Sequence, residues 1–134
     1  MTALKTERLV IRSSDDVVRV RQMTRTLALE AGLSLVDQTK IITAASELAR
    51  NTLDYGGGGQ AMAELVEASS RRGLRLTFED KGPGIPDIDA ALKDGFTSGK
   101  GMGLGLGGAK RLSNEFSIHS KPGEGTKVVI ARWK

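Results

Sequence analysis

Two periods of hydrophobic spacing run through this chain, and the switch between them predicts which segments are helices and which are strands. Leu9 and Ile11 alternate with arginines, and this spacing predicts an opening strand. Apolar residues then recur every three to four positions, which predicts two helices. The first is capped by residues 14–16 and stopped by Gly32, and the second covers residues 36–55 and ends at consecutive glycines.

Alternation of apolar and polar residues in the second half of the chain predicts two hairpins. The first has strands over residues 60–68 and 74–79, joined by a turn at residues 69–73. The second has strands over residues 116–120 and 126–133, joined by a proline- and glycine-containing turn.

The residue pattern between the two hairpins predicts a short helix, then a loop, then a longer helix. A short helix is predicted over residues 87–93, and residues 95–103 lack apolar periodicity and are predicted to form a mobile loop. A third long helix is predicted from Leu106 towards Phe116. Helices early and hairpins later favour an α+β fold, a two-layer sandwich with helices on one face of a mostly antiparallel sheet.

Length and composition limit the architecture and the chemistry. The chain has 134 residues, 39% of them hydrophobic, and we expect a single domain over residues 1–134 because typical domains contain about 100 to 150 residues. There is no cysteine, which excludes disulfides, thiol catalysis and cysteine-ligated metals. The single histidine, His119, argues against a histidine metal site.

Charge and hydropathy argue against nucleic-acid and membrane partners. The formal net charge is +4, but 16 acidic residues are scattered among 20 basic ones and only 4% of residues are aromatic. Nucleic-acid binding favours gathered positive charge with aromatic side chains for stacking. No stretch resembles a signal peptide or approaches the roughly 20 apolar residues that span a bilayer. We therefore expect a soluble, cytoplasmic protein.

Glu47 and Asn51 lie one turn apart on the second predicted helix, on the face opposite its apolar stripe. Side chains four positions apart on a helix are neighbours at about 5 to 6 Å, so both can act on one object. The amide oxygen of Asn51 suits Mg²⁺, and the carboxylate of Glu47 suits a general base. For an isolated helix a solvated polar face is the simpler interpretation, and only the glycine-rich segments later in the chain favour a functional one.

Asp80 follows the strand predicted over residues 74–79 and continues the register of its inward-facing apolar residues. A buried ionised carboxylate needs a partner, because an unpaired one carries a desolvation cost of several kcal/mol. That partner is either a basic side chain of the protein or the exocyclic amine of an adenine. Alternatively, Asp80 caps its own turn, and Gly82 and Gly84 suit both interpretations because glycine permits positive φ and close approach of a ligand.

A glycine-rich segment at residues 101–108 opens the third predicted helix. Residues 103–108 match the dinucleotide-binding GxGxxG, but no buried strand directly precedes them, as a βαβ unit requires. Residues 95–100 imitate a Walker A loop but are one residue short and lack the Ser or Thr after Lys100. Two interpretations remain: a flexible glycine loop, or a phosphate site built from helix N-terminal amides and Lys100.

Three motifs, in this order, carry a family resemblance. Glu47-Leu48-Ala49-Arg50-Asn51 resembles the N-box, Asp80-x-Gly82-x-Gly84 the first glycine box, and Gly101-x-Gly103-x-Gly105 the second, of the GHKL (Bergerat-fold) ATPase and kinase superfamily. Thr126 is similar to the late threonine that supports the adenine-binding aspartate in that family. The resemblance covers nearly the whole chain, and within the superfamily it is to the switch kinases of the stressosome.

The resemblance implies a role for each residue. Asn51 would hold Mg²⁺ on the triphosphate, Glu47 would be the general base for the acceptor hydroxyl, and Asp80 would read adenine. The implied ATP-binding residues are Asn51, Asp80, Gly82, Gly84, Lys100, Gly101, Gly103, Leu104, Gly105, Leu106 and Thr126.

The resemblance also implies an activity and partners. The implied enzyme uses Mg-ATP to phosphorylate a serine or threonine on STAS-domain scaffold or antagonist proteins, and then activates a PP2C-type phosphatase in the general stress sigma-factor cascade. The alternative is an anti-sigma factor of the same fold, which sequesters a sigma factor and phosphorylates an anti-anti-sigma factor. A histidine-kinase catalytic domain is disfavoured because no phosphoacceptor helix is predicted and His119 falls in a predicted strand.

Overall fold

The computed structural model describes residues 1–92 and 105–134. These residues form a five-stranded sheet, and the helices lie in the segments of chain that connect one strand to the next. In chain order the elements are β1 (Thr2–Ile11), α1 (Ser14–Glu30), α2 (Leu35–Asp54), β2 (Gly59–Ala68), β3 (Arg71–Asp80), α3 (Ile88–Ala91), α4 (Gly105–Arg111), β4 (Glu115–Ser120) and β5 (Thr126–Trp133). The strand order is β1-β2-β3-β5-β4, and every neighbouring pair is antiparallel.

Helices α1 and α2 cover one face of the sheet, and the hydrophobic core lies between these two layers. Leu27 and Leu48 from the helices and Leu76 and Phe78 from β3 are all 2% exposed or less. Burying a side chain of this kind contributes about 1.5 to 3 kcal/mol. The predicted α+β sandwich, with helices on one face of a mostly antiparallel sheet, is confirmed.

Short polar side chains set where the two long helices begin. Ser13 is the N-cap of α1, and its backbone amide donates to the Asp16 carboxylate at 3.2 Å. Ser34 caps α2 by accepting from the backbone amide of Asp37 at 3.1 Å. A side-chain cap such as that of Ser34 contributes about 1 kcal/mol and fixes where its helix starts. None of the described helices combines the length and the apolar character needed to cross a membrane.

The first hairpin turns more tightly than the sequence pattern predicts. Ser69 and Ser70 have φ of 51° and 66° and form a two-residue turn, so β3 already begins at Arg71. Gly73, predicted to lie in the turn, is inside the strand, and a Cβ there would lie 2.7 Å from a ring atom of Trp133. The absence of a side chain at Gly73 therefore allows the Trp133 ring to pack closely against β3, and Gly73 is not part of the turn.

Two helices end earlier than predicted. α3 covers only Ile88–Ala91, and its cap is Asp87, whose carboxylate accepts from the backbone amide of Ala90 at 3.0 Å. The described part of α4 ends at Arg111, and Phe116 lies in β4 packed against the core. The mobile loop predicted at residues 95–103 lies outside the described residues.

Arg132, near the end of β5, connects the sheet to the helical layer. Its Nη2 donates to Oδ1 of Asp37 at 2.8 Å, and its Nη1 donates to the backbone oxygen of Leu112 at 3.1 Å. The hydrogen bond from Arg132 is the main reason that the pKa of Asp37 lies below its usual value. One side chain thus joins the start of α2 to the chain that follows α4.

Candidate functional site

Asp80 ends β3 with its side chain on the helix-facing side of the sheet, as the strand register predicts. It lines a cavity together with Phe78 and Val128, which share that face. Its Oδ1 also accepts from the backbone amide of Gly82 at 2.9 Å. Asp80 therefore caps its own turn and also lines the cavity, so the capping hydrogen bond does not exclude a contact with a ligand.

The surroundings of Asp80 disfavour its charge. Burial raises the pKa of the Asp80 carboxyl above its ordinary value, although hydrogen bonds from the backbones of Gly82 and Thr126 oppose this effect. Across residues 1–92 and 105–134, no lysine or arginine forms an ion pair with it. Of the two partners that the sequence predicts, a basic side chain is thus not found in the described part of the chain.

The cavity brings together predicted residues from several separate segments. The predicted binding residues that line it are Asn51, Asp80, Gly84, Gly105, Leu106 and Thr126. Much of the remaining wall is apolar and includes Leu48 and Ile85. Apolar walls with a few convergent polar groups are typical of small-molecule and cofactor sites.

The other predicted binding residues do not line the cavity or lie beyond the description. Gly82 is adjacent to it, since its amide holds Asp80 and a Cβ there would lie 2.7 Å from the Cα of Gly56. The phosphate-binding positions predicted from the glycine loop lie outside the described residues, namely Lys100, Gly101, Gly103 and Leu104.

Glu47 is more enclosed than its position on the polar helix face predicts. It is 6% exposed and is not among the residues that line the cavity, whereas Asn51, one turn later, is half-buried and lines it. A solvated polar face, the simpler interpretation of this helix, is therefore wrong at Glu47. Glutamate is rarely buried to this extent without a specific interaction.

Gly56 is a site residue that the sequence pattern did not single out. A Cβ at this position would overlap the Cβ and Cγ of Asp80 and would lie 2.6 Å from the backbone oxygen of Thr52. Its amide donates to the backbone oxygen of Asn51 at 3.3 Å. Gly56 therefore joins the end of α2 to Asp80 at close range. The run of glycines at residues 56–59 was visible in the sequence, but nothing there distinguishes Gly56 from its neighbours.

The end of β4 and the turn between β4 and β5 form hydrogen bonds with the loop that follows Asp80. The amide of Gly123 donates to the backbone oxygen of Pro83 at 2.7 Å, and the hydroxyl of Ser120 accepts from the amide of Ile85 at 2.8 Å. Gly84 has φ of 79°, and a Cβ there would overlap the backbone oxygen of Lys121. One wall of the cavity is thus held by a segment that lies much later in the chain.

Comparison with known protein families places the chain in a class of ATPases. Residues 36–134 match the family of histidine kinase-, DNA gyrase B-, and HSP90-like ATPases. That span includes all the residues that line the cavity. The chain belongs to this ATPase family, and the predicted membership in the GHKL superfamily is confirmed.

Sequence relatives place the chain more narrowly. It is 48% identical to the serine/threonine-protein kinase RsbT of Bacillus subtilis (strain 168) over 118 residues, which cover 88% of this chain and 89% of that protein. It is 28% identical to an anti-sigma F factor of Clostridium kluyveri over 103 residues, which cover 74% of this chain and 72% of that factor. The predicted resemblance to an RsbT-type switch kinase, and with it the predicted enzyme class, is confirmed.

Solved structures show the same fold at lower sequence identity. The RsbU and RsbW domains of a Mycobacterium tuberculosis protein match with a TM-score of 0.66 and 20% identity, covering 96% of this chain and 31% of that one. The mycobacterial sensor histidine kinase MprB matches with a TM-score of 0.55 and 16% identity, covering 96% of this chain and 97% of that one. These similarities support the architecture alone.

Proposed function

We propose that this chain uses Mg-ATP to phosphorylate a serine or threonine on a STAS-domain protein. The observation that carries the proposal is the convergence of Asn51, Asp80 and Thr126 on one cavity with apolar walls. The ATPase family supports the nucleotide, and the 48% identity to a serine/threonine-protein kinase supports the reaction.

In this proposal adenine occupies the end of the cavity near Asp80. The ionised carboxylate accepts a hydrogen bond from the exocyclic amine, which takes the place of the basic side chain that the described part of the chain does not offer. Apolar side chains such as Leu48 and Ile85 pack against the faces of the base. The bound amine favours the charged form of Asp80, so nucleotide binding offsets the effect of burial.

Mg²⁺ fits the chemistry of another residue of the cavity. Asn51 lines the cavity and offers a neutral, hard amide oxygen, and Mg²⁺ usually combines one or two protein ligands with phosphate and water oxygens. When bound, the ion neutralises charge on the triphosphate. Asn51 holds its position because it lies in α2, one turn before the close contact at Gly56.

Glu47 is proposed as the general base. The acceptor hydroxyl oxygen forms a bond to the γ-phosphorus, the bond from that phosphorus to the β–γ bridging oxygen breaks, and ADP leaves. The hydroxyl proton passes to the Glu47 carboxylate. Phosphates are proposed to contact Lys100 and the glycines that precede α4.

The proposed partners follow from the switch-kinase class. After transfer, the kinase leaves its STAS-domain substrate and activates a PP2C-type phosphatase that controls a general stress sigma factor. The test is transfer of label from γ-labelled ATP to a purified STAS-domain protein of the same organism, with binding of the two proteins measured in parallel. Labelled serine or threonine supports the proposal, and normal binding without any label contradicts it.

The similarity to anti-sigma F factors supports one second candidate, an anti-sigma factor of the same fold. Affinity capture with the purified chain separates the two. Retention of a sigma factor without a phosphatase supports the anti-sigma function, and retention of a STAS-domain protein and a phosphatase supports the switch kinase.

A further inference from the structure

The hydroxyl of Ser120 contacts three groups around the cavity. It accepts from the backbone amide of Ile85 at 2.8 Å, lies 3.0 Å from the backbone oxygen of Gly125 and lies 2.8 Å from Oγ1 of Thr126. Ile85 and Thr126 line the cavity, and Ser120 stands behind them. This one hydroxyl therefore supports two walls of the site.

Counting protons fixes the direction of these hydrogen bonds. A serine hydroxyl has one proton and two lone pairs, and the amide of Ile85 occupies one lone pair. The carbonyl of Gly125 can only accept, so the Ser120 proton goes to it. The remaining lone pair accepts the proton of Thr126, which leaves the Thr126 oxygen with only lone pairs for other partners.

We propose that Ser120 is a positioning residue that sets the direction of the Thr126 hydroxyl and thereby the choice of purine base, an inference that rests on the nucleotide site proposed above. Asp80 pairs directly with Thr126 across the β3–β5 ladder and is also an acceptor when ionised. Two neighbouring acceptors match an amino group at C6 of a purine and oppose a carbonyl there. The site therefore prefers adenine to hypoxanthine, and Ser120 contributes without touching the base.

The test compares the dissociation constants of Mg-ATP and of the Mg complex of inosine triphosphate, which carries a carbonyl at C6, by titration calorimetry. In Ser120→Ala the freed Thr126 proton can turn to that carbonyl, so the preference for ATP falls about tenfold, the factor that one net hydrogen bond provides. Ser120→Thr keeps a hydroxyl and restores the preference. Ser117→Ala, in the same strand but exposed on the opposite face, leaves it unchanged.

A double-mutant cycle separates this role from a merely structural one. In the Thr126→Val background, adding Ser120→Ala produces no further change in the preference. Equal weakening of both nucleotides in Ser120→Ala, or a further fall in the double variant, overturns the proposal. If circular dichroism shows Ser120→Ala unfolded, Ser120→Cys takes its place, because the thiol keeps a similar size but is only a weak hydrogen-bond acceptor. An unchanged preference for ATP in that folded variant overturns the proposal.

The two proposals fail in different ways. A wild-type protein that binds neither nucleotide overturns the nucleotide site and this inference with it. A wild-type protein that binds ATP, combined with an unchanged preference in the folded Ser120→Ala variant, overturns only the role of Ser120.

Discussion

The carboxyl group of Asp80 lies so close to the backbone of Gly56 that no side chain fits between them. Gly56 directly follows the last turn of α2, whose Asn51 reaches the same cavity. The absence of a side chain at this position therefore sets the distance between the strand that carries Asp80 and the helix that carries Asn51.

Gly56→Ala is expected to weaken Mg-ATP binding roughly tenfold or more. The added methyl group overlaps Asp80, and forcing an extra methyl into a close contact typically costs about 1 to 3 kcal/mol. Calorimetric titration measures the affinity. Gly57→Ala is the control, because a Cβ there meets nothing within 4 Å and costs only the strain of its φ of 72°. Similar affinities for the two variants would contradict the steric role of Gly56.

Asp80→Asn is expected to raise the melting temperature at neutral pH in the absence of nucleotide. Because burial raises the folded-state pKa of Asp80, the contribution of this group to stability is present below its unfolded pKa and is lost as pH rises through its folded pKa. The neutral amide keeps an acceptor for Gly82 and escapes that loss. Thermal melts at neutral and acid pH test this, and the gain should vanish in acid. A lower melting temperature of Asp80→Asn at neutral pH would contradict the conclusion that burial destabilises the charged carboxylate of Asp80.

Asp37→Asn is expected to lower the free energy of unfolding at neutral pH by about 1 to 2 kcal/mol, because it weakens a charge-assisted bond to the little-exposed Arg132. The pKa of Asp37 is lowered in the fold, so its contribution is present above the unfolded pKa and is lost as pH falls through the folded pKa. Urea unfolding at several pH values checks both statements. The matched control is Glu67→Gln, whose 3.7 Å ion pair with Arg72 is exposed and should contribute under about 1 kcal/mol.

Glu47→Gln is expected to retain Mg-ATP binding and to slow phosphoryl transfer by about 10²- to 10⁴-fold, the contribution typical of a general base. The substitution preserves the size of a side chain that is 6% exposed, so the fold should persist. Single-turnover transfer from labelled ATP measures the rate. Loss of nucleotide binding would assign Glu47 a structural role, and an unchanged rate would remove it from the chemistry.

The alternation of residues along β3 correctly predicted the face of the sheet on which the Asp80 side chain lies, because this alternation is a local property of a strand. Side chains in a strand alternate strictly between faces, so residues 74–79 fix the side on which the next residue lies. The same alternation predicted the strands of the antiparallel sheet. Helix periodicity predicted the position of Glu47 but not its burial, which depends on what packs over α2.

Contacts between distant segments could not be predicted in this way. Gly56 approaches Asp80 from the end of another element, and Ser120 reaches Ile85 across 35 positions of sequence. From the sequence alone, Gly56 is explained as part of a glycine turn and Ser120 as a serine at the end of a strand. Only the folded arrangement shows that they support the same cavity.

The proposed contact between Asp80 and adenine is tested most directly by the affinity of Mg-ATP for the wild-type protein, Asp80→Asn and Glu79→Gln, measured by titration calorimetry. Glu79 precedes Asp80 in β3 but is exposed on the opposite face of the sheet, so it controls for loss of negative charge nearby. Similar affinities are expected for wild type and Glu79→Gln, and binding weaker by about tenfold or more is expected for Asp80→Asn, which loses the charged acceptor. Wild-type affinity in Asp80→Asn, or no binding of ATP by the wild-type protein, would contradict the proposed contact.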